Sequence, residues 1–505
     1  MRRSFLPLFA FGLLGVAATA SAETRLVVAT GVDISTGDAQ RISGGGERVF
    51  FSQAFEGLYG HDSVTGKVSP ELALSHTVSD DGKTYEFKLR PNVKWHDGSP
   101  FTADDVVFSW KRGVDPQTRN PGASVILRNV ERAEKVDDLT VRLILKQPDA
   151  SLLENLGDNF YIVPKAYIEK VGSEQFGRAP IGTGPWRLVE RKPKEYMEFA
   201  AFKEHWGRVP GVDRMTMKIV ADTQTRVAML QTGEADIVTA LPAHLVKQID
   251  SGKDTRALKV PTYQNVYINF STARADKRWN REARLALNHA IDRKTLIDKV
   301  MFGAATVSAG WCAKGIIGCD IGKEPYAYDP KLAKELLAKS GLDLSKTYRF
   351  VGLAPGRTPQ SKEITEAVAQ YLGRVGVKTK IEIMEYGAWI ALIQAHAYDD
   401  NDLIFWTWTD YNNEPMGRLP RALRSKGQYS YNEDPKLDAM LDKANAITDP
   451  AAREAHMRSI FQYLYDDPPQ ITLWTVDEIY GVRRNVEWTP RVNVSWPVLW
   501  QVSKK

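Results

Sequence analysis

The residues best placed to do chemistry lie together between Phe405 and Pro415, in the run FWTWTDYNNEP. Two tryptophans, Trp406 and Trp408, and Tyr411 surround one carboxylate, Asp410. Aromatic faces around a lone acid suit an enclosure for an organic ligand with one positive charge, since little water remains to screen the pair. The same run also suits a buried strand that ends in a polar loop at Tyr411-Asn-Asn-Glu-Pro415. Other chemistry is poorly supplied. No spacing of Ser, His and Asp, and no HExxH, marks a nucleophile or a metal protease. Ser43-Gly-Gly-Gly46 lacks the Lys-Ser/Thr of a phosphate loop, and His96 and His289 read as structural. No metal or cofactor is expected. Trp279, Trp311, Trp389, Trp474 and Trp488 read as core or hinge packing, with Trp389 and Trp474 also candidates for lining a ligand cleft.

Residues 1–22 have the form of a secretory signal: Arg2 and Arg3, an apolar run from Phe5 to Val16, and Ala20-Ser21-Ala22 as the cleavage site. The apolar run is too short to span a bilayer. The expected mature chain starts after Ala22 and resides in an oxidising compartment, most naturally a bacterial periplasm. Loss of Arg2 and Arg3 lowers the formal charge from +5 to +3. The basic residues are dispersed, which argues against nucleic-acid or polybasic membrane binding. The only two cysteines, Cys312 and Cys319, lie seven apart in WCAKGIIGCD, and in such a compartment this spacing reads as a local disulfide. A length of 505 residues implies two or three lobes.

The elements that must position the aromatic run alternate in type. Strands are expected at Arg25–Thr30, 84–89, 93–95, 215–220, 266–270 and 378–384, and helices at 49–58, 224–232 and 361–375, with another from Arg281. Thr102, followed three residues later by Asp105, marks a helix start. This alternation argues an α/β fold.

The run PELALSHTVSDDGKTYEFKLRPNVKWHDGSPFTADDVVFSWKR, Pro70 to Arg112, resembles the signature of the oligopeptide- and dipeptide-binding proteins of bacterial ABC importers, solute-binding family 5. PIGTGPWRL (180–188), YINF (267–270), REARLALNHAIDRKTLIDKVMFGAA (281–305), YDPKLAKELLAKSGL (328–342) and PPQITLW (468–474) continue the likeness in order. The resemblance implies a two-lobed clamshell with discontinuous lobes and a small inserted domain. Lobe I would comprise 23–55, 180–273 and 475–505, the inserted domain 56–179, and lobe II 274–474. It further implies a monomeric receptor, not an enzyme, that delivers a short peptide to an inner-membrane permease with cytoplasmic ATPases. An opine, an oligosaccharide or a metal chelate is the alternative solute, and a secreted hydrolase the rival from another class. By resemblance, Asp410 pairs with the ligand's ammonium and Arg357 with its carboxylate. Gly31–Ile34, including Val32 and Asp33, and Trp406–Thr409 would offer backbone edges to the ligand. This chain reads VDISTGDAQ at 32–40, where the family usually carries a Leu-Asp-Pro-like turn.

Overall fold

The computed structural model describes residues 23–41, 47–62, 66–118, 120, 127–157, 160–311, 313–354, 358–397, 402–409, 414–447, 449–492 and 496–505. The expectations for the signal segment, the glycine run at 43–46, Cys312, Arg357, Asp410 and Tyr411 lie outside these residues.

Two sets of parallel strands with helical crossovers form the two lobes. In the first, Arg25–Thr30 pairs in parallel with Arg214–Ile219 and Ile237–Val238. The crossover between the latter two is the helix Thr223–Thr232, whose start is capped by Asp222 accepting from the Thr225 N–H at 2.7 Å. In the second, Thr347–Leu353 lies parallel to both Lys378–Met384 and Leu403–Thr409, with helices Ser361–Arg374 and Tyr386–Gln394 as crossovers.

Two long antiparallel strands, Thr255–Phe270 and Gln470–Arg483, join these sets into one 11-stranded sheet. Their ladder runs from Thr255↔Arg483 to Pro261↔Asp477, breaks, and resumes at Asn265↔Thr475. Pro261 has no N–H to give to a ladder. Thr262 bridges the break instead: its Oγ1 donates to the Val476 carbonyl at 2.7 Å and accepts from the Gln264 N–H at 3.1 Å. Val260, Tyr480 and Val482, on one side of the break, pack with Leu26, Phe50 and Trp186. Val266, Ile268, Ile471 and Leu473, on the other, pack with Leu287, Phe350 and Leu403. The lobes therefore have separate cores that share only these strands and the residues packed on them.

A third core, built on Tyr85, Phe87, Trp95, Phe101, Val141 and Leu143, belongs to a four-stranded antiparallel sheet and the helix Ala103–Val114. The helix starts as its sequence requires: the Thr102 N–H donates to Asp105 Oδ2 at 2.9 Å. Val93–Trp95, expected as a strand, forms only a single bridge, Lys94↔Pro100, because the turn at His96-Asp97-Gly98 folds it back at once. His96 binds beyond its own turn. Its Nδ1 accepts from the Gly182 N–H at 3.1 Å and its Nε2 donates to the Gly184 carbonyl at 2.8 Å. The WHDG and GTGPW segments thus clasp each other. Gly182 is needed there, since a Cβ would lie 1.8 Å from the Ala54 carbonyl oxygen.

Candidate functional site

Strand Leu403–Thr409 carries the aromatic run and sits between Thr347–Leu353 and Thr255–Phe270, with Asn265↔Trp408 and Tyr267↔Trp406 in register. Asp402 fixes its start by accepting from the Arg349 N–H at 2.9 Å and pairing with Arg278 at 3.3 Å. Beyond the strand, Glu414 forms a buried two-bond pair with Arg453 at 2.5 and 2.9 Å and accepts from the Met416 N–H at 2.8 Å. Burial holds the Glu414 carboxyl above its ordinary range against the pull of Arg453. Asp402 and Glu414, on either side of the aromatic run, are thus both held by ion pairs.

Period two places Trp406 and Trp408 on one face of this strand, their rings stacked at 6.2 Å. Trp389 packs 5.2 Å from Trp406 and donates its Nε1–H to the Phe405 carbonyl at 3.2 Å. Tyr429 lies 5.4 Å from Trp408. These rings form one wall of a cleft of about 700 Å³ that opens at the break in the crossing strands. Thr407, Thr409 and Thr358–Gln360 extend that wall, Gln264 and Val476–Ile479 form the floor, and Ala240–Pro242 of the first lobe stand opposite. Ala240 and Gln360 both hold left-handed backbone, each at φ 52°, a strain that surrounding structure must impose. A second cavity, about 310 Å³ beside Arg284 and Asp467, has those two charges already paired, as it has Lys277 and Glu433.

Of the residues proposed from sequence, Trp406, Trp408 and Thr409 line the cleft, as does Trp389. Trp474 is buried in the second-lobe core instead. Val32 and Asp33 are not brought to the cleft. Val32 is exposed, and Asp33 pairs with Arg191 at 3.4 Å and accepts from the Lys194 N–H at 2.8 Å.

Three charged residues in the cleft were not anticipated. Arg421 lies 5.3 Å over Trp408 and 5.0 Å over Tyr429, and donates to Gln428 Oε1 and Tyr429 Oη at 3.1 Å each. Its Nη1 has no protein acceptor among the described residues, so a planar donor face remains for a carboxylate. Asp477 and Glu478 lie on the floor, where the ladder breaks. Asp477 Oδ1 is buried without a hydrogen-bond partner. Burial raises its pKa, against the pull of Lys259. Glu478 shares a strand face with the buried Tyr480 and Val260; burial pushes its carboxyl up to about 7, and the backbone N–H of Ala240 only partly offsets this. A local signal for both existed: TVDEIY places two adjacent acids inside an otherwise apolar strand.

Two separate cores joined by crossing strands, with an aromatic cleft at the join, define a two-lobed binding protein. The family described as bacterial extracellular solute-binding proteins, family 5 (middle), matches residues 67–430, and the chain belongs to that family. Among curated relatives, the glutathione-binding protein GsiB of Escherichia coli is 28% identical over 468 residues, 91% of this chain and 90% of the relative. Among solved structures, HbpA2 from Haemophilus parasuis superposes with a TM-score of 0.85 at 24% identity, over 95% of this chain and 100% of that one. The periplasmic binding protein DppA from Helicobacter pylori, in complex with the peptide STSA, gives 0.75 at 24% identity over 95% and 98%. No helix among the described residues is long and apolar enough to cross a membrane.

Proposed function

We propose that this chain is a periplasmic receptor that encloses a short peptide between its lobes and delivers it to an inner-membrane ABC permease driven by cytoplasmic ATPases. The observation that carries this reading is the cleft at the strand break, with Thr358 and Thr409, the neighbours of segments 355–357 and 410–413, both in its wall. Asp410 holds the peptide's ammonium. Its carboxylate goes to Arg357 or to Arg421, the latter already flattened against Trp408 and Tyr429. The named relatives bind glutathione and a four-residue peptide, both short peptides. Ligand touches both walls only when the lobes shut, so binding shifts an open–closed equilibrium toward closed. No reaction follows, and incubated peptides are expected to be recovered uncleaved by mass spectrometry.

The mature chain begins after Ala22, acts as a monomer, and divides as 23–55, 180–273 and 475–505; 56–179; and 274–474. The break at Pro261–Asn265 serves as part of the hinge between lobes. Cys312 pairs with Cys319. In support, Cys319 is not a free thiol and packs beside the core of Trp311 and Ile316.

The test is titration calorimetry of di- to tetrapeptides against wild type and Asp410→Ala. An enclosed charge pair predicts a loss of roughly 30-fold to several thousand-fold in affinity, about 2–5 kcal/mol. A loss below threefold rejects Asp410 as the anchor.

A further inference from the structure

Arg421 is the only cation lining the cleft among the described residues, and no acid among them pairs with it. Its guanidinium lies 5.3 Å from the centre of the Trp408 ring and 5.0 Å from that of Tyr429. Its Nε donates to Gln428 Oε1 and its Nη2 to Tyr429 Oη, at 3.1 Å each, and Nη1 is left over. The backbone holds this arrangement. The Tyr429 N–H donates to the Arg421 carbonyl at 2.9 Å, and between them Gly427 is required, since a Cβ there would lie 2.4 Å from the Pro420 carbonyl oxygen. Tyr429 Oη accepts from the guanidinium, while its own O–H donates to no described residue. The Tyr429 ring also packs 5.9 Å from Trp406, which stacks on Trp408. Trp406 is 2% exposed, and its buried Nε1–H has no acceptor. One cluster in the cleft wall thus holds unused donors from a guanidinium, a phenol and an indole.

We infer that Arg421, Tyr429 and Trp406 form a carboxylate subsite in the second-lobe wall, so that the guest must present a carboxylate there, from its C-terminus or from an acidic side chain. The inference rests on the peptide-receptor reading above and deepens it by assigning the residues that read the anion. A guanidinium packed on rings keeps its N–H bonds in its own plane, where the two oxygens of a carboxylate can meet them. A buried indole N–H without an acceptor is costly, and a carboxylate oxygen removes that cost. The cleft also holds unpartnered acceptors, Gln360 Oε1 and Asp477 Oδ1, but neither residue bonds to or stacks on this cluster; they suit the N–H groups of the guest. Thr358 Oγ1, buried and unpartnered, can donate or accept and so favours neither. Asp477 and Glu478 on the floor form no ion pair with Arg421, so its charge is not cancelled in place. A neutral oligosaccharide offers the cluster acceptors without the charge and forgoes the ion pair.

The experiment uses the full mature chain and four pairs of tripeptides. One pair is trialanine and its C-terminal amide; the other three carry glutamate or glutamine at one position and alanine elsewhere. Within each pair the shape is kept and the carboxylate is lost. Calorimetry on wild type is expected to give a preference of about tenfold or more for the carboxylate in at least one pair. The trialanine pair reports a terminal carboxylate as the source, and a glutamate pair a side chain. In Arg421→Met, shown by a thermal melt to be folded, the ratio in that pair drops below about threefold, and Tyr429→Phe lowers it while the ring is kept. Equal binding within every pair on wild type overturns the subsite and leaves the peptide receptor standing. A preference that survives in every pair in Arg421→Met also overturns it, including where both members weaken together, the mark of an arginine that only supports the wall. If none of the eight peptides binds at millimolar concentration, the peptide reading itself is overturned and the subsite with it.

Discussion

Glu478 is an acid that the fold buries at a cost, and that cost can be measured. Its carboxyl is pushed up to about 7 by burial, against 4.5 for a solvated glutamate. At about 1.4 kcal/mol per pH unit, the gap amounts to about 3 kcal/mol. Some contact with cleft water reduces the measurable value toward about 2 kcal/mol. The sign follows from which state holds the proton. Below pH 4.5 both folded and unfolded chains carry it, and Glu478 is neutral in each. Between 4.5 and 7 the unfolded chain releases it while the folded chain keeps it, so stability falls as pH rises through this window. Above 7 the folded chain bears an ionised, unpaired carboxylate and the loss is complete. Glu478→Gln removes the titration and retains the shape. The variant should match wild type near pH 4 and exceed it by roughly 2–3 kcal/mol at pH 8, a rise of about 4–12 °C in the melting temperature of the lobe. Ligand-free wild type and variant are melted by calorimetry at both pH values. A difference in melting temperature that is equal at the two pH values, or a variant less stable at pH 8, refutes the reasoning.

Two further predictions concern the frame. Arg453→Met removes the guanidinium from a buried Glu414 and should cost about 3–5 kcal/mol, whereas adding Glu414→Gln should recover much of the loss; denaturant unfolding of both variants checks this, and additive losses would show that the two do not act as a pair. His96 is pushed down to about 4 by burial, with the Gly184 carbonyl opposing, so it stays neutral in the fold while the unfolded chain protonates near 6.5. Its contribution is present above 6.5 and is lost as pH falls toward 4, by up to about 3 kcal/mol. Melts of wild type and His96→Asn that run parallel from pH 7 to pH 4.5 would contradict that assignment.

Much of the frame was legible in order along the chain. The strands Arg25–Thr30 and Lys378–Met384 and the helix start at Thr102 follow from local patterning, because each reports a periodicity or a cap that neighbours in sequence supply. Trp406 and Trp408 announced themselves as a pair on one strand face. The crossing strand Thr255–Phe270 was visible only at its apolar end, 266–270, since Pro261 and the polar residues around it hide the remainder. The helix expected over 49–58 stops at Ala54, where the chain turns extended at Phe55 to run on toward the inserted domain.

Charge in the cleft was decided elsewhere. Arg421 lies thirteen residues beyond Trp408, and only the folded chain lays its guanidinium on that ring. Asp477 and Glu478 became significant because the fold leaves them beside the ladder break at the join of two cores, where burial raises both carboxyls. By itself the sequence determined which segments form strands and helices and which family they compose, since those properties depend on residues near one another in the chain. Which carboxylates lose their water depended on strands some two hundred positions apart coming together, and which guanidinium faces the cleft depended on a segment folding back onto Trp408; only the tertiary structure decided either.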